Sequence, residues 1–219
     1  MKREIIITSD GSTSIQLPEW DESYHSKHGA IQEAQHVFIK NGLSLCKGQS
    51  VSVLEIGFGT GLNAFITFLE SQKTNQNIAY VGIEGFPISA DEVLQMNYVN
   101  QLNAYQFESE FKTMHTSDWE KNVTISHTFR LTKRKQLFND INDKNQFNII
   151  YFDAFGYRVQ PELWSVEIFT KMFEALKEGG ILVTYACRGP IKNAMKEAGF
   201  KIEKLAGPPG KREMLRGWK

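Results

Sequence analysis

Cysteine is scarce in this chain: Cys46 and Cys187 are the two among 219 residues. They lie far apart and form no metal-type spacing, which argues against a disulfide framework or a cysteine-rich zinc site. Reduced thiols in a cytoplasmic protein are the expectation. The five histidines, His25, His28, His36, His115 and His127, form no ligand cluster, so no metal is expected. No apolar run approaches the roughly 18 residues that cross a bilayer. The opening MKREIIITSDG has no apolar stretch of the secretory type. Charge of one sign is also missing, since 25 Lys and Arg balance 25 Asp and Glu. Nothing global advertises a nucleic-acid partner, and any RNA contact must come from a local patch. There is no Pro/Gly-rich linker, low-complexity tract or internal repeat.

What is present reads as one soluble α/β unit. Residues 4–17 read as a hairpin turning at Asp10-Gly11. Residues 30–39 carry helical spacing. From Val51 onward strands and helices alternate. The strands are expected near 51–56, 78–84, 123–131, 147–153 and 180–186. The helices are expected near 61–71, 87–100, 161–177 and 189–198, with Pro87 and Pro190 in first turns and Gly179-Gly180 joining a helix to a strand. The region 101–122 has no clear pattern. Such alternation predicts a doubly wound, mainly parallel sheet. The expected organisation is an N-terminal extension of hairpin and helix over residues 1–45 and a main domain over residues 46–219.

The most informative stretch is Val51 to Gly61, VSVLEIGFGTG. A β-branched strand runs into a Gly-x-Gly-x-Gly turn, and an amphipathic segment follows. The free N–H groups of that helix start suit a polar or anionic ligand. Alone, the glycine pattern also fits dinucleotide enzymes. Here Glu55 precedes the first glycine by two residues, and Glu84 closes the next strand, where a carboxylate is placed for ribose hydroxyls. This combination resembles the S-adenosylmethionine (SAM) site of class I, Rossmann-like methyltransferases. The cofactor set is therefore expected to be Glu55, Gly57, Gly59, Gly61, Asn63 and Glu84, with SAM as the cofactor.

The second constellation is Asn148 to Trp164, NIIYFDAFGYRVQPELW. A buried-strand pattern ends at Asp153, on the same sheet edge as the glycine turn. An acid there suits the orientation of an amine nucleophile; the plainer alternative is a loop or helix cap.

Four motifs together resemble the methyltransferase half of MnmC and its stand-alone relatives. They are Tyr24-His-Ser-Lys-His-Gly29-Ala-Ile-Gln-Glu33-Ala-Gln-His36-Val-Phe38, Glu55-Ile-Gly-Phe-Gly-Thr-Gly-Leu-Asn63, the stretch from Asp153 to Trp164, and Gly210-Lys-Arg-Glu-Met-Leu215. The resemblance spans about residues 8 to 217. It implies methylation of the primary amine of 5-aminomethyl-(2-thio)uridine at the wobble position of tRNA. It further implies Asp153 as the catalytic carboxylate and the tRNA anticodon stem-loop as partner. Phe155, Tyr157 and Trp164 are then the candidates for base stacking, and Lys211 and Arg212 for phosphate contact. Two basic clusters stand out: Arg130, Lys133, Arg134, Lys135, and Lys211, Arg212, Arg216, Lys219. No second Gly-x-Gly-x-x-Gly turn accompanies a flavin oxidase domain, so another enzyme is expected to supply the aminomethyl group. The chain also departs from the family after its third strand, where a Gly-Asp pair is usual. Lys133 and its neighbours stand there, with Asp140 shifted in register. Two other readings remain open: aminopropyl transfer of the spermidine synthase type, and an RNA-associated SAM-binding module without catalysis.

Overall fold

The structure, a computed structural model, describes residues 2–219. Strands β1 (Glu4–Ile7) and β2 (Thr13–Leu17) pair antiparallel, and β3 (Glu22–Ser23) adds to β2. The Asp10 carboxylate ties the hairpin turn by accepting from the Ser12 N–H and, from the next segment, the Gln32 N–H, both at 3.0 Å. Helix α1 (Ala30–Ala34) runs directly into a π-helical stretch, Gln35–Lys40. Ile15, Ala30, Val37 and Phe38 are buried in the same cluster as Val51, Val53 and Phe65, so the N-terminal segment shares a core with the main sheet.

The eight-stranded sheet is organised around β4 (Ser50–Ile56), whose last four residues, Val53 to Ile56, are all buried, as suits a central strand covered on both faces. It is parallel to β5 (Asn77–Ile83) on one side and to β8 (Phe147–Phe152) on the other. The chain moves outward through helix α2 (Leu62–Thr74), β5, α3 (Ala90–Val93), α4 (Tyr98–Gln101), α5 (Glu108–Thr116), β6 (Asn122–Ser126) and β7 (Phe129–Arg134). It then crosses back to β8, α6 (Val166–Ala175), β9 (Leu176–Thr184), α7 (Gly189–Glu197), β10 (Lys201–Ala206) and β11 (Glu213–Trp218). The final order is β10-β11-β9-β8-β4-β5-β7-β6. The reversal falls between β4 and β8, and ligands of such sheets sit outside the strand ends at that point.

Several expectations are corrected. The strand expected at 123–131 is a hairpin: β6 is antiparallel to β7, and β7, the parallel strand, continues to Arg134. Its turn at His127-Thr128 carries neither Gly nor Pro, and a Ser126 Oγ contact to the Thr128 N–H replaces them. The helix expected at 87–100 is two short helices. α3 begins after a reciprocal cap between Ser89 and Glu92, leaving Pro87 outside. The helix expected at 161–177 is a 3-10 turn, Pro161–Trp164, followed by α6 with Ser165 as its cap. Gly179 and Gly180 lie inside β9, where the register with β8 jumps from Phe147↔Leu176 to Ile149↔Ile181. β10 and β11 were not anticipated; β11 inserts antiparallel between β10 and β9.

Candidate active site

The carboxyl ends of β4, β5 and β8 open into a cavity of about 1610 Å³. Its outer wall is the N-terminal segment from Trp20 to His28, joined by Gly210, Lys211 and Arg212 of the loop that precedes β11. These two walls meet where the His28 ring fills the space beside Gly210. His25 ties the wall to the glycine turn: its Nδ1 lies 2.9 Å from Ser14 Oγ and its Nε2 3.4 Å from Thr60 Oγ1. Burial, reinforced by the Lys211 charge, holds the imidazole at about 4, so it is neutral at physiological pH.

The glycine turn is fixed by backbone. The N–H groups of Gly57 and Phe58 both donate to Ile83 O, at 3.1 and 2.9 Å. Gly57 has φ +93°, and a Cβ there would lie 2.6 Å from the Asp153 carbonyl oxygen. Its lack of a side chain therefore serves the close approach of the β4 and β8 ends. Gly61, at φ +72°, backs onto His115 and lies behind the cavity wall. Gly59 faces the Tyr24 ring, with a Cβ contact of 3.3 Å. The Glu84 carboxylate receives the Gly59 N–H on one oxygen at 2.9 Å and the Phe86 N–H on the other at 2.8 Å. It lines the cavity with acceptor capacity left on both oxygens. Arg3 reaches across from β1 and donates to Phe86 O at 2.7 Å, holding this rim closed. Of the residues expected to hold SAM, Gly57, Gly59, Asn63 and Glu84 line this cavity.

Glu55 departs from that set. It is 0% exposed, does not reach the cavity, and neither carboxylate oxygen has a hydrogen-bond partner. Asn63 and Tyr80 are its polar neighbours, but neither makes a bond of good geometry. Burial, with the Asp153 and Glu84 charges in the same direction, pushes its carboxyl well above the usual range. Glu55 supports the turn from beneath.

Asp153 follows β8 and stands at the cavity base, anchored by its N–H to Ile56 O at 2.9 Å. The buried Asn63 amide donates to its Oδ2 at 2.8 Å. Burial and then the Glu33 charge push the Asp153 carboxyl up to about 7, against the Asn63 bond and the Lys211 charge. Lys211 Nζ is 2.8 Å from Glu33 Oε2 and 3.8 Å from the Tyr185 ring centroid. Lys211 is therefore turned into the cavity and already ion-paired, which corrects the expectation of a surface phosphate contact. Glu33 and Tyr185 had no assigned role in the sequence, although Glu33 lies within the first of the four motifs.

Phe155 and Tyr157 line the cavity, with Phe155 edge-on to Trp20 and Tyr24. Trp164 does not. It is 1% exposed and donates its indole N–H to Phe155 O at 2.8 Å, so it supports the loop rather than stacking a base. Both basic clusters lose members to internal contacts, while Arg130 and Lys135 stay exposed. Lys133 is 1% exposed and donates to His115 O at 2.7 Å, and Arg134 pairs with Asp143. Arg216 pairs with Glu203, and Lys219 donates to Leu176 O. Arg212 remains exposed on the cavity rim, joined there by Arg188. Beyond β7, Gln136, Leu137, Phe138 and Asn139 line the cavity, while Asp140 is exposed outside it.

Residues 96–219 match a family model described as S-adenosyl-L-methionine-dependent methyltransferase. The chain belongs to that family. This methyltransferase is 29% identical to the tRNA 5-methylaminomethyl-2-thiouridine biosynthesis bifunctional protein MnmC of Idiomarina loihiensis, over 90% of this chain and 36% of the relative. The protein of the same name from Leptospira borgpetersenii is 27% identical, over 90% of this chain and 32% of the relative. The methyltransferase thus spans about a third of the length of these curated relatives. Its fold matches the crystal structure of MNMC2 from Aquifex aeolicus with a TM-score of 0.75, at 20% identity over 99% of this chain and 70% of that one. A spermidine synthase in complex with the transition-state analogue AdoDATO shares the fold at a TM-score of 0.61 and 14% identity, over 99% of this chain and 70% of that one. SAM is the family's cofactor. Among the described residues, no group of His, Cys, Asp or Glu side chains is placed to hold a metal ion. No helix among them is long and apolar enough to cross a membrane.

Proposed function

We propose that this methyltransferase methylates the primary amine of 5-aminomethyl-(2-thio)uridine at the wobble position of tRNA, in the cytoplasm. The carrying observation is the placement of Asp153, hydrogen-bonded by Asn63, at the base of the cavity that the glycine turn and Glu84 also line. The curated relatives' names point to the same uridine. Gly57, Gly59, Asn63 and Glu84 hold the cofactor's half of the cavity, with Gly61 and Glu55 supporting from behind. Bound SAM supplies a sulfonium-activated methyl group with its own leaving group.

The acceptor amine is the chemical problem. A free alkylammonium has a pKa near that of lysine, about 10.4, so it arrives protonated. Asp153 attracts it and accepts a hydrogen bond from it. A carboxyl at about 7 also takes up a proton far more readily than an ordinary aspartate, whose value is 3.8. Desolvation at the cavity base favours the uncharged pair, neutral amine and neutral acid, over the charged one. Asn63 fixes one carboxylate oxygen and leaves the other for the amine. Phe155 and Tyr157 offer faces for an unstacked base, and Arg188 and Arg212 offer charge at the mouth for phosphates. Another enzyme provides the aminomethyl group.

Incubating the purified protein with SAM and tRNA that carries 5-aminomethyluridine tests this. Nucleoside mass spectrometry should show 5-methylaminomethyluridine and the Asp153→Asn variant should make little of it. Transfer of an aminopropyl group from decarboxylated SAM, without methylation of tRNA, would replace this reading by the spermidine-synthase one. SAM binding with no turnover on any aminomethylated tRNA would leave a non-catalytic module.

A further inference from the structure

Glu33, Tyr185 and Lys211 surround Asp153 from three segments far apart in sequence. Glu33 comes from α1 and its side chain is 8% exposed. Lys211 comes from the loop before β11, and its Nζ is held twice, 2.8 Å from Glu33 Oε2 and 3.8 Å from the centre of the Tyr185 ring. Tyr185 is itself pinned, its hydroxyl donating to Ala154 O at 2.8 Å, one residue from Asp153. All four side chains line the same cavity. A surface lysine that waits for phosphate does not need an aromatic seat and a buried carboxylate.

We propose that Lys211 and Glu33 are a positioning pair whose charges cancel, so that the acceptor amine meets one effective carboxylate, Asp153, and sheds its proton there. The proposal rests on the amine-methylation reading above. The proton moves from the acceptor ammonium to the Asp153 carboxylate, leaving a neutral amine with its lone pair and a neutral acid. With two uncompensated carboxylates in a partly desolvated site, the ammonium is held more tightly and gives up its proton less readily. With none, it is attracted poorly. The charge balance is therefore a compromise between capture and release.

Of the other groups that face this cluster, Glu22 and Arg188 act on Tyr185 with opposite charges. Glu55 lies behind Asp153, and burial pushes its carboxyl well above the usual range. Burial also keeps Tyr80 and Tyr185 protonated far above neutral pH, and His25, near Lys211, uncharged. Glu33 and Lys211 act on the Asp153 carboxyl in opposite directions, the first raising it and the second lowering it.

Three variants test the balance: Lys211→Met, Glu33→Gln, and the two combined. The first readout needs neither cofactor nor turnover: the carboxyl 13C resonance of Asp153, assigned by its loss in Asp153→Asn, is titrated in the cofactor-free protein. The midpoint should rise in Lys211→Met by about one pH unit, a tenfold change in proton affinity. It should fall in Glu33→Gln and return towards wild type in the double variant. The second readout is kinetic, with aminomethylated tRNA. Lys211→Met should lower kcat about tenfold without raising KM, and move the acidic limb of the pH profile upward by the same unit. Glu33→Gln should raise KM and move the limb down, and the double variant should recover most of kcat. An unmoved 13C midpoint in both single variants overturns the proposal. So does a Lys211→Met enzyme with an unshifted pH profile but weaker, less salt-dependent tRNA binding, which is the behaviour of a phosphate contact. If the wild type methylates no tRNA, the functional reading falls and the 13C titration still decides the charge pair.

Discussion

The half of the cavity around the glycine turn comes from one run of chain, Gly57–Asn63, with Glu84 at the end of the neighbouring strand. The half around Asp153 draws Glu33, Asp153, Tyr185 and Lys211 from segments separated by up to 178 residues. The first is held mainly by backbone N–H groups, from Gly57, Phe58, Gly59 and Phe86. The second is held by side chains on side chains: amide on carboxylate, ammonium on carboxylate and ammonium on ring. A backbone frame is hard to retune by substitution, whereas a side-chain frame shifts with each residue. On the proposed reading, cofactor binding is tied to the backbone-held half and acceptor chemistry to the half held by side chains.

The sharpest way to separate the halves is Asp153→Asn. The shape is kept and the charge removed, so turnover should fall by about 10²–10⁴-fold, the scale of a lost proton acceptor. SAM affinity should hardly change. Single-turnover kinetics beside calorimetry measure both; a wild-type rate would make Asp153 structural. Gly57→Ala should break both halves at once, because its Cβ would sit 2.6 Å from the Asp153 carbonyl. The cost should be roughly 2–4 kcal/mol in unfolding free energy, from backbone strain plus overpacking. Gly59→Ala is the contrast. Its Cβ meets the Tyr24 ring at 3.3 Å, a side chain able to yield, so denaturant melts should show a clearly smaller loss. Equal losses would mean that β4–β8 proximity is not what Gly57 secures.

Glu84→Ala acts on one half alone. SAM affinity should weaken by about 1–3 kcal/mol, the range for bonds to a charged group. At saturating SAM, kcat should stay near wild type. A large fall in kcat with unchanged affinity would move Glu84 to the other half.

Much of the first half was legible in the sequence because its residues are contiguous and its signal is local. A strand, three glycines and a strand-end acid survive without knowledge of packing. The same locality explains the errors. The place of Glu55 before the turn suggests a cofactor ligand, yet strand alternation sends its side chain into the core. Trp164 was read as a stacking face because composition cannot distinguish an aromatic under a loop from one above it. The basic clusters were counted along the chain, while β7 and β11 distribute their residues between buried ion pairs and solvent. The β6–β7 turn carried no Gly or Pro, so two strands read as one. The Asp153 half needed contacts between α1, β8, β9 and the final loop, which no local pattern encodes.

The pH dependence of stability compares the wall with the cavity base. His25 and His115 have folded values of about 4, below the ordinary 6.5, through burial. The unfolded chain takes up protons that these folded imidazoles refuse, so stability should fall as pH drops from 6.5 towards 4. Asp153 runs the other way: its folded value of about 7 exceeds 3.8, so the folded state gains protons as pH falls through 7. Thermal melts across this window should show a steeper decline for Asp153→Asn than for wild type, and a shallower one for His25→Asn. Identical slopes in all three would contradict these assignments.

The smallest effect is expected at the mouth, where neither half of the cavity is involved. Arg188 and Arg212 are exposed on its rim, and neither guanidinium enters a side-chain hydrogen bond or ion pair among the described residues. They are the free cations that Lys211 was expected to be. Each phosphate neutralised on a nucleic acid releases condensed counterions, which makes affinity depend on salt. Arg188→Ala combined with Arg212→Ala should therefore lower the slope of log affinity against log salt by about 1–2 on aminomethylated tRNA. At high salt the variant and the wild type should converge. SAM affinity and the Asp153 titration should stay as they were, because both lie deeper in the cavity. The decisive comparison is with Lys211→Met under the same salt series. If that variant loses the slope and the arginine pair does not, phosphate recognition belongs inside the cavity, and the division between a neutralised interior and a cationic rim fails.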